Sequence, residues 1–154
     1  MTGKIDSRKP AGKKTEEKRE ETIALWFRMW LEGKDLGIRE IFDPDCVYIE
    51  SWGPQYQGAE KVVLWFREWN TRGTVTDWEI KQFFHKDNQT AVEWYFRNRM
   101  KDGREECFDG ITLVQWTPEE KIALLKEFGC NISRYDPYAR GGEPCFREEA
   151  PRWF

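Results

Sequence analysis

Apolar residues recur at helical spacing in two stretches of the first half of the chain. In each stretch they fall at i, i+3, i+4 and i+7, which places them on one face of an α-helix. The two sets are Ile23, Trp26, Phe27 and Trp30, then Val62, Trp65, Phe66 and Trp69. This spacing predicts one helix from Thr15 to Leu31 and another from Ala59 to Trp69. Thr15 is the expected N-cap of the first helix, and Gly33 is expected to end it.

A shorter apolar group lies between these two stretches. It consists of Leu36, Ile38, Ile41 and Phe42. Because Asp35 precedes the group and aspartate is a common helix cap, we expect a short helix from about Asp35 to Phe42 with all four side chains buried. The Asp-Pro-Asp segment at 43–45 is expected to end this helix as a turn.

β-favouring stretches follow. The first runs from Cys46 to Ser51, where alternation puts Tyr48 and Glu50 on one face of a strand. Beyond residue 73, turn signals at 87–88, 102–103 and 118–120 separate four longer strands. The predicted strands are Thr76–His85, Thr90–Met100, Glu105–Thr117 and Lys121–Ile132. Long neighbouring strands with short turns predict an antiparallel meander, and the whole order predicts an α+β fold with helices on one face of a curved sheet.

Charge and composition narrow the classes of function. The net charge of −3 argues against a nucleic-acid-binding protein, and the chain has no 18-residue apolar run that would span a membrane. Polar residues 1–14 are expected to form a disordered tail, and no apolar leader segment is visible, so the expected location is cytoplasmic. Residues 139–154 form a C-terminal extension that is expected to lie over the surface or across a partner subunit.

Metal and cofactor chemistry has little support in the sequence. The cysteines are widely spaced and are expected to be free thiols. They are Cys46, Cys107, Cys130 and Cys145. The single histidine, His85, stands at a predicted strand end and is expected at the surface. We therefore expect no metal site and no cofactor.

Five groups of residues, in this order, resemble the SnoaL-like branch of the nuclear transport factor 2-like superfamily. They are the Trp/Met-rich first helix, Tyr48-Ile49-Glu50-Ser51 followed by Tyr56-Gln57-Gly58, Glu93-Trp94-Tyr95-Phe96, Phe108-Asp109-Gly110-Ile111-Thr112, and Lys121-Ile122 leading to Lys126-Glu127-Phe128. The resemblance covers residues 18–138, and we take 15–138 as the domain. It implies a cone-shaped α+β barrel with three N-terminal helices, a mostly antiparallel sheet and an apolar pocket at the open end. It also implies a homodimer formed through the outer sheet face.

Glu50 is the principal candidate for chemistry. In the isomerase-like members of this superfamily the general base is an acid near the end of the first strand, and Glu50 falls there. A carboxylate in an apolar pocket has a raised pKa and can move a proton next to a carbonyl. The alternative is a carboxylate at the pocket rim, hydrogen-bonded to Trp52 or to loop amides.

Asp109 is the second candidate, as an acid that donates to an oxyanion. The isomerase acid would fall closer to Thr112, and residues three apart face opposite ways unless Gly110 makes a bulge. A structural or dimer-edge role for Asp109 is the alternative. The candidate ligand-binding residues are Tyr48, Trp52, Trp30, Trp26, Tyr56, Thr112 and Arg97. Arg97 would pair with a ligand carboxylate inside the cone or, with Arg99, Glu93 and Glu127, form ion pairs across the sheet.

Two hypotheses about function remain open at this stage. The first is a pocket protein for a small apolar or ring-containing molecule, acting as a cofactor-free isomerase, cyclase or lyase with Glu50 as base. The second is a non-catalytic ligand-binding or dimerisation module. The first helix has no tyrosine to match the oxyanion donor of the isomerases. The dehydratases of the superfamily use paired histidines, whereas His85 is the single histidine of this chain. Both departures count against those two mechanisms.

Overall fold

The computed structural model of the protein describes residues 12–147 and has three helices and a six-stranded sheet in this part of the chain. The helices are α1 Lys13–Glu32, α2 Ile38–Ile41 and α3 Ala59–Arg72, and the strands are β1 Phe42–Ile49, β2 Gln55–Gln57, β3 Gly73–Lys86, β4 Gln89–Met100, β5 Glu105–Trp116 and β6 Ile122–Asn131. The α+β class is confirmed, and so is the predicted order of two helices, a strand, a helix and four strands, with β2 as an additional short strand.

The first helix agrees with the periodicity that predicted it. The four residues of the apolar stripe are all buried, and Gly33 ends the helix in the left-handed region with φ 66°. The N-terminus differs: α1 begins at Lys13, its N-cap is Gly12, and no side chain caps it. Thr15 is therefore not the cap, and residues 13–14 belong to the helix instead of the predicted tail. Residues 1–11 and 148–154, which complete the predicted tail and extension, lie outside the described residues.

The second helix is much shorter than predicted. The Asp35 carboxylate does accept hydrogen bonds from the backbone N–H groups of Gly37 and Ile38, at 2.9 and 2.8 Å. The helix nevertheless spans only Ile38–Ile41, and Leu36 is 37% exposed instead of buried. Phe42 already pairs with Ile122 of β6, so β1 starts there.

The predicted turn at 43–45 is wrong for the same reason. The segment belongs to β1 and forms an irregularity between Phe42 and Val47, where the register with β6 shifts. Pairing with a distant strand has overridden a local turn signal.

The sheet has the order β2-β1-β6-β5-β4-β3. Strands β3 to β6 form the predicted antiparallel meander, whereas β1 pairs parallel to β6. The three-residue strand β2 was not predicted, and it pairs antiparallel to the end of β1. The α1 and α3 helices pack on one face of the curved sheet, and the core fills the space between them.

Gly110 on β5 allows the Trp94 ring and the backbone of β6 to approach closely. A Cβ atom at this position would lie 2.3 Å from the Trp94 ring and 2.5 Å from the Phe128 carbonyl oxygen. The register around Gly110 is regular, with Trp94 on β4 and Gly129 on β6 as its neighbours. The bulge that would have turned Asp109 and Thr112 to the same face is therefore absent at this glycine.

One end of the cone is closed by a polar cluster. Arg19, 5% exposed, donates to both carboxylate oxygens of Glu120 at 2.6 and 2.9 Å and to the Asp87 carbonyl oxygen at 2.9 Å. His85 lies beside this cluster with its side chain 11% exposed, within 3.0 Å of the Thr90 hydroxyl and 3.2 Å of the Glu20 carboxylate. The expectation of a surface histidine is therefore wrong, because the N-terminal half of α1 covers the strand end that carries it.

Candidate functional site

A cavity of about 460 Å³ lies between the inner face of the sheet and helices α1 and α3. Ten of its 21 lining residues are aromatic, and the wall also carries carboxyl groups and other charged side chains. Its aromatic lining residues are Trp30, Tyr48, Trp52, Tyr56, Trp65, Trp69, Trp78, Trp94, Phe96 and Phe108. A volume of this size suits one small organic molecule.

Glu50 lines this cavity directly after β1, on the face that Tyr48 also occupies. The Tyr56 hydroxyl donates to its carboxylate at 2.7 Å, and Tyr56 itself comes from β2, the strand paired with the end of β1. Burial raises the pKa of Glu50, and interactions with Tyr56, Trp52 and Arg72 lower it only in part. The side chain is therefore a desolvated carboxyl with a stronger affinity for protons than an exposed glutamate has.

Glu127 is a second carboxyl in the same cavity, and the sequence analysis had assigned it to ion pairs across the sheet. It lies on β6, and the buried hydroxyl of Tyr48 donates a hydrogen bond to its carboxyl group. Burial raises the pKa of Glu127 to about 8, and the charge of Glu50 acts in the same direction. Burial likewise raises the pKa of Tyr48 well above its ordinary value. At neutral pH, Glu127 is therefore mostly a neutral acid beside a neutral phenol.

One signal in the sequence could have identified Glu127. It stands two residues after Leu125, which is 1% exposed, and alternation therefore puts both residues on the inner face of β6. Its partner across the sheet is Thr112, which is fully buried. A carboxyl group on an inward-facing strand position is costly to bury and for that reason marks a candidate functional residue.

The open end of the cavity carries most of its other charges. Arg72 binds Glu68 through two hydrogen bonds of 2.6 and 3.0 Å, and Arg104 binds Asp102 at 2.8 Å. Glu106 also lines the cavity, and it forms no salt bridge with any residue in the range 12–147.

Four of the candidate ligand-binding residues lie in the cavity wall. These are Trp30, Tyr48, Trp52 and Tyr56, and Trp52 is 58% exposed at the rim. Trp26 and Thr112 are not in the wall. The Trp26 ring is fully buried against Trp30, Phe42, Tyr48 and Phe66. The Thr112 hydroxyl lies behind the lining, where it accepts a hydrogen bond from the Trp94 indole N–H at 2.8 Å.

Asp109 and Arg97 face away from the cavity, and the pocket roles expected for them are wrong. Asp109 pairs with Lys81 at 3.2 Å and with Arg134 at 2.9 Å. Arg97 pairs with Glu105 at 2.7 Å. Both stand on the outer sheet face, because regular alternation along β4 and β5 points Phe96 and Phe108 inward and their neighbours outward. Arg97 therefore forms an ion pair across the sheet, as its alternative proposed, but with Glu105 instead of Glu93 or Glu127.

Neither a metal centre nor a membrane-spanning segment is found in the part of the chain that the structure describes. Within residues 12–147, no three His, Cys, Asp or Glu side chains are grouped so that they could hold a metal ion. No helix in this range is long and apolar enough to cross a membrane.

Comparison with known families agrees with this architecture. The profile of the SnoaL-like domain matches residues 23–125, which include both β1 and the start of β6. The chain belongs to the SnoaL-like domain family. A search of curated proteins found no sequence that matches this SnoaL-like domain.

Solved structures similar to this SnoaL-like domain are distant in sequence. One is a Catenulispora acidiphila protein with a ketosteroid isomerase-like fold in complex with trimethylamine, with 17% identity over 70% of this chain and 84% of that one and a TM-score of 0.60. Another is an M. tuberculosis LEH-like epoxide hydrolase, with 10% identity over 74% and 84% of the two chains and a TM-score of 0.65. A third is a nuclear transport factor 2-like protein of unknown function from Burkholderia pseudomallei, with 12% identity over 77% and 92% and a TM-score of 0.60. At such identities the likeness establishes the shared cone fold alone.

Proposed function

We propose that this SnoaL-like domain catalyses a cofactor-free proton transfer on a small apolar or ring-containing molecule. The observation that carries the proposal is the presence of two desolvated carboxyl groups, Glu50 and Glu127, in one aromatic cavity. Two acids whose environments give them different protonation states can divide the roles of base and acid between them.

Glu50 is the base in this proposal. Its carboxylate takes a proton from carbon next to a carbonyl group, and the electron pair of the broken C–H bond moves toward the carbonyl oxygen. The protonated Glu127 carboxyl, which accepts the hydrogen bond from the Tyr48 hydroxyl, donates its own hydrogen bond to the oxygen as negative charge develops there. Glu50 then returns the proton to another carbon, which gives isomerisation. In a cyclase the enolate carbon would instead attack a second carbonyl carbon of the same molecule, and the oxygen of that carbonyl would take the proton from Glu50. In a lyase the enolate would expel a leaving group from the β-carbon, which departs with the electron pair and takes the proton.

The Glu50 carboxyl is expected to titrate above the ordinary range for glutamate, because burial destabilises its charged form. Carbon-13 NMR titration of the side-chain carboxyl measures this pKa, with Glu50→Gln used to assign the signal. Tyr56→Phe is expected to raise the Glu50 pKa further, because it removes a hydrogen bond that favours the carboxylate.

The matching activity test is deuterium exchange at the carbon next to the carbonyl of small ring ketones in heavy water. The wild type is expected to exchange faster than Glu50→Gln by about 10²-fold or more, the contribution typical of a positioned general base. Its rate should fall as the pH drops through the raised Glu50 pKa, because only the ionised carboxylate accepts a proton. An ordinary Glu50 pKa that Tyr56→Phe leaves unchanged would refute the catalytic proposal.

A non-catalytic ligand-binding role is the second candidate, and one contact favours it. The Glu50 carboxylate already accepts a hydrogen bond from Tyr56, and this interaction reduces its basicity. A domain that bound ring compounds without any Glu50-dependent exchange would fit this role.

We also propose that the domain forms a homodimer in the cytoplasm through the outer sheet face. Phe84, Ile111 and Phe128 are 53%, 42% and 47% exposed on that face, and Ile111 pairs directly with Phe128 across β5 and β6. Exposed apolar side chains grouped on one face favour association. The free state of the four cysteines supports a reducing compartment.

The charged variant Ile111→Lys is expected to convert the dimer to a monomer, because burying a lysine in the middle of the contact is costly. Leu64→Lys is the matched control, since Leu64 is 65% exposed on α3, on the opposite side of the sheet. Sedimentation velocity measures both variants. A monomeric wild type, or a dimer that survives in Ile111→Lys, would contradict the proposed interface.

A further inference from the structure

Carboxyl groups outnumber guanidinium groups in the wall of the cavity. Four carboxyl groups face it, from Glu50, Glu68, Glu106 and Glu127, against the guanidinium groups of Arg72 and Arg104. Both guanidinium groups are already paired, Arg72 with Glu68 and Arg104 with Asp102. A ligand that carries a carboxylate or phosphate would therefore find no unpaired cation in the wall formed by residues 12–147.

The indole rings in the cavity wall are available to a ligand mainly through their ring carbon atoms, because several of their N–H groups are paired or buried. The Trp94 indole N–H is engaged by the Thr112 hydroxyl. The indole nitrogens of Trp30 and Trp78 are buried, with no hydrogen-bond partner among the described residues. Three of the indoles that line the cavity thus contribute their ring surfaces. Electron-rich ring faces attract a cation placed over them, and the attraction grows when water is excluded.

Glu106 stands next to this wall without an ionic partner. It shares the inner face of β5 with Phe108, two residues away, and both line the cavity. Phe108 in turn packs against Phe96 at 5.0 Å and against Trp94 at 5.7 Å between ring centroids. A carboxylate next along the strand face to a ring that packs against two others is an arrangement that suits an ammonium group.

We propose that the ligand of this cavity carries a tertiary or quaternary ammonium group, held by the rings of the sheet wall with Glu106 as its counter-ion. The inference rests on the proposed function and specifies its substrate class. The apolar or carbonyl-bearing part of the molecule would then lie deeper, toward Tyr48, Glu50 and Glu127. Glu106 is a binding residue in this assignment and takes no part in proton transfer.

A pair of probes of equal shape tests the proposal. Phenyltrimethylammonium carries the cation, and tert-butylbenzene is its neutral carbon analogue. Titration of the full chain, followed by tryptophan fluorescence and by NMR, gives the Kd of each. The cation is expected to bind roughly 10- to 30-fold more tightly than the neutral analogue, the range that a desolvated cation–π contact supplies.

Glu106→Gln is expected to weaken binding of the cation about fivefold and to leave the neutral analogue unchanged, as for loss of one partly exposed ion pair. Glu79→Gln on the exposed outer face of β3 makes the same charge change at a distance and should alter neither Kd.

Equal or tighter binding of tert-butylbenzene, or no binding of either probe, would overturn the proposal. An unchanged preference for the cation in Glu106→Gln would overturn the assignment of Glu106. The Glu50 titration is read independently: a selective cation site with an ordinary Glu50 pKa would sustain the ligand class and refute the proton-transfer chemistry.

Discussion

Replacing Glu127 with glutamine is expected to raise the free energy of unfolding by about 5 kcal/mol at pH 9 and to leave it nearly unchanged at pH 4. Glu127 has a pKa of about 8 in the fold against an ordinary value of 4.5. The difference of 3.5 units, at about 1.36 kcal/mol each, gives the expected effect. Glutamine has nearly the same shape, accepts the hydrogen bond from Tyr48 and cannot ionise.

The sign follows from proton binding. Between pH 4.5 and 8 the folded chain keeps a proton on Glu127 that the unfolded chain has released. Wild-type stability therefore falls as the pH rises through this window and levels off above it, whereas Glu127→Gln lacks this slope. Urea unfolding followed by tryptophan fluorescence from pH 4 to 9 measures both proteins.

Glu79→Gln provides the control, because it removes a carboxylate from the exposed outer face of β3 and should follow the wild-type curve. A constant difference between Glu127→Gln and the wild type at all pH values would show that Glu127 is not desolvated in the fold. The expected result also bears on function, since a buried acid that destabilises the fold at neutral pH is the kind of feature retained at active sites.

Removal of the Arg19 side chain is expected to have the second largest effect on the free energy of unfolding. Arg19→Met should lower the free energy of unfolding by about 3 kcal/mol, near the lower end of the range for breaking a buried ion pair. The change leaves the Glu120 carboxylate and the Asp87 carbonyl oxygen without their donor. The Glu120 side chain is 28% exposed, so water can compensate part of the loss. The guanidinium also lies 5.6 Å from the centre of the Trp116 ring, and that contact is lost too.

Arg28→Met on the same helix is the matched control. Arg28 is 62% exposed and lies 3.8 Å from Glu32, an i, i+4 pair at the surface. Such pairs contribute less than about 1 kcal/mol, so the control should unfold almost like the wild type. Chemical denaturation at pH 7 compares the two variants. Equal losses would mean that the cluster at the closed end contributes no more than a surface pair.

Local patterns in the sequence determined the elements whose stability is local. The stripe formed by Ile23, Trp26, Phe27 and Trp30 predicted α1, because a 3.6-residue period is a property of the helix itself. The alternation around Tyr48 placed Glu50 on the same face, and the structure has both residues in the cavity wall. The family resemblance, carried by the order of short motifs, gave the cone fold before any contact was known.

Contacts between distant strands decided the rest. Phe42 was predicted to end the second helix and the 43–45 segment to form a turn, yet pairing with β6 draws both into a strand. Alternation fixed which residues of β5 and β6 share a face, but not which face points inward. Packing of the helices on one sheet face decided this, so that Asp109 points outward to Lys81 and Glu127 lies in the cavity. The physical reason is that strand pairing and burial depend on residues far apart in the chain, so the desolvation that gives Glu127 its unusual pKa exists only once the sheet and helices enclose it.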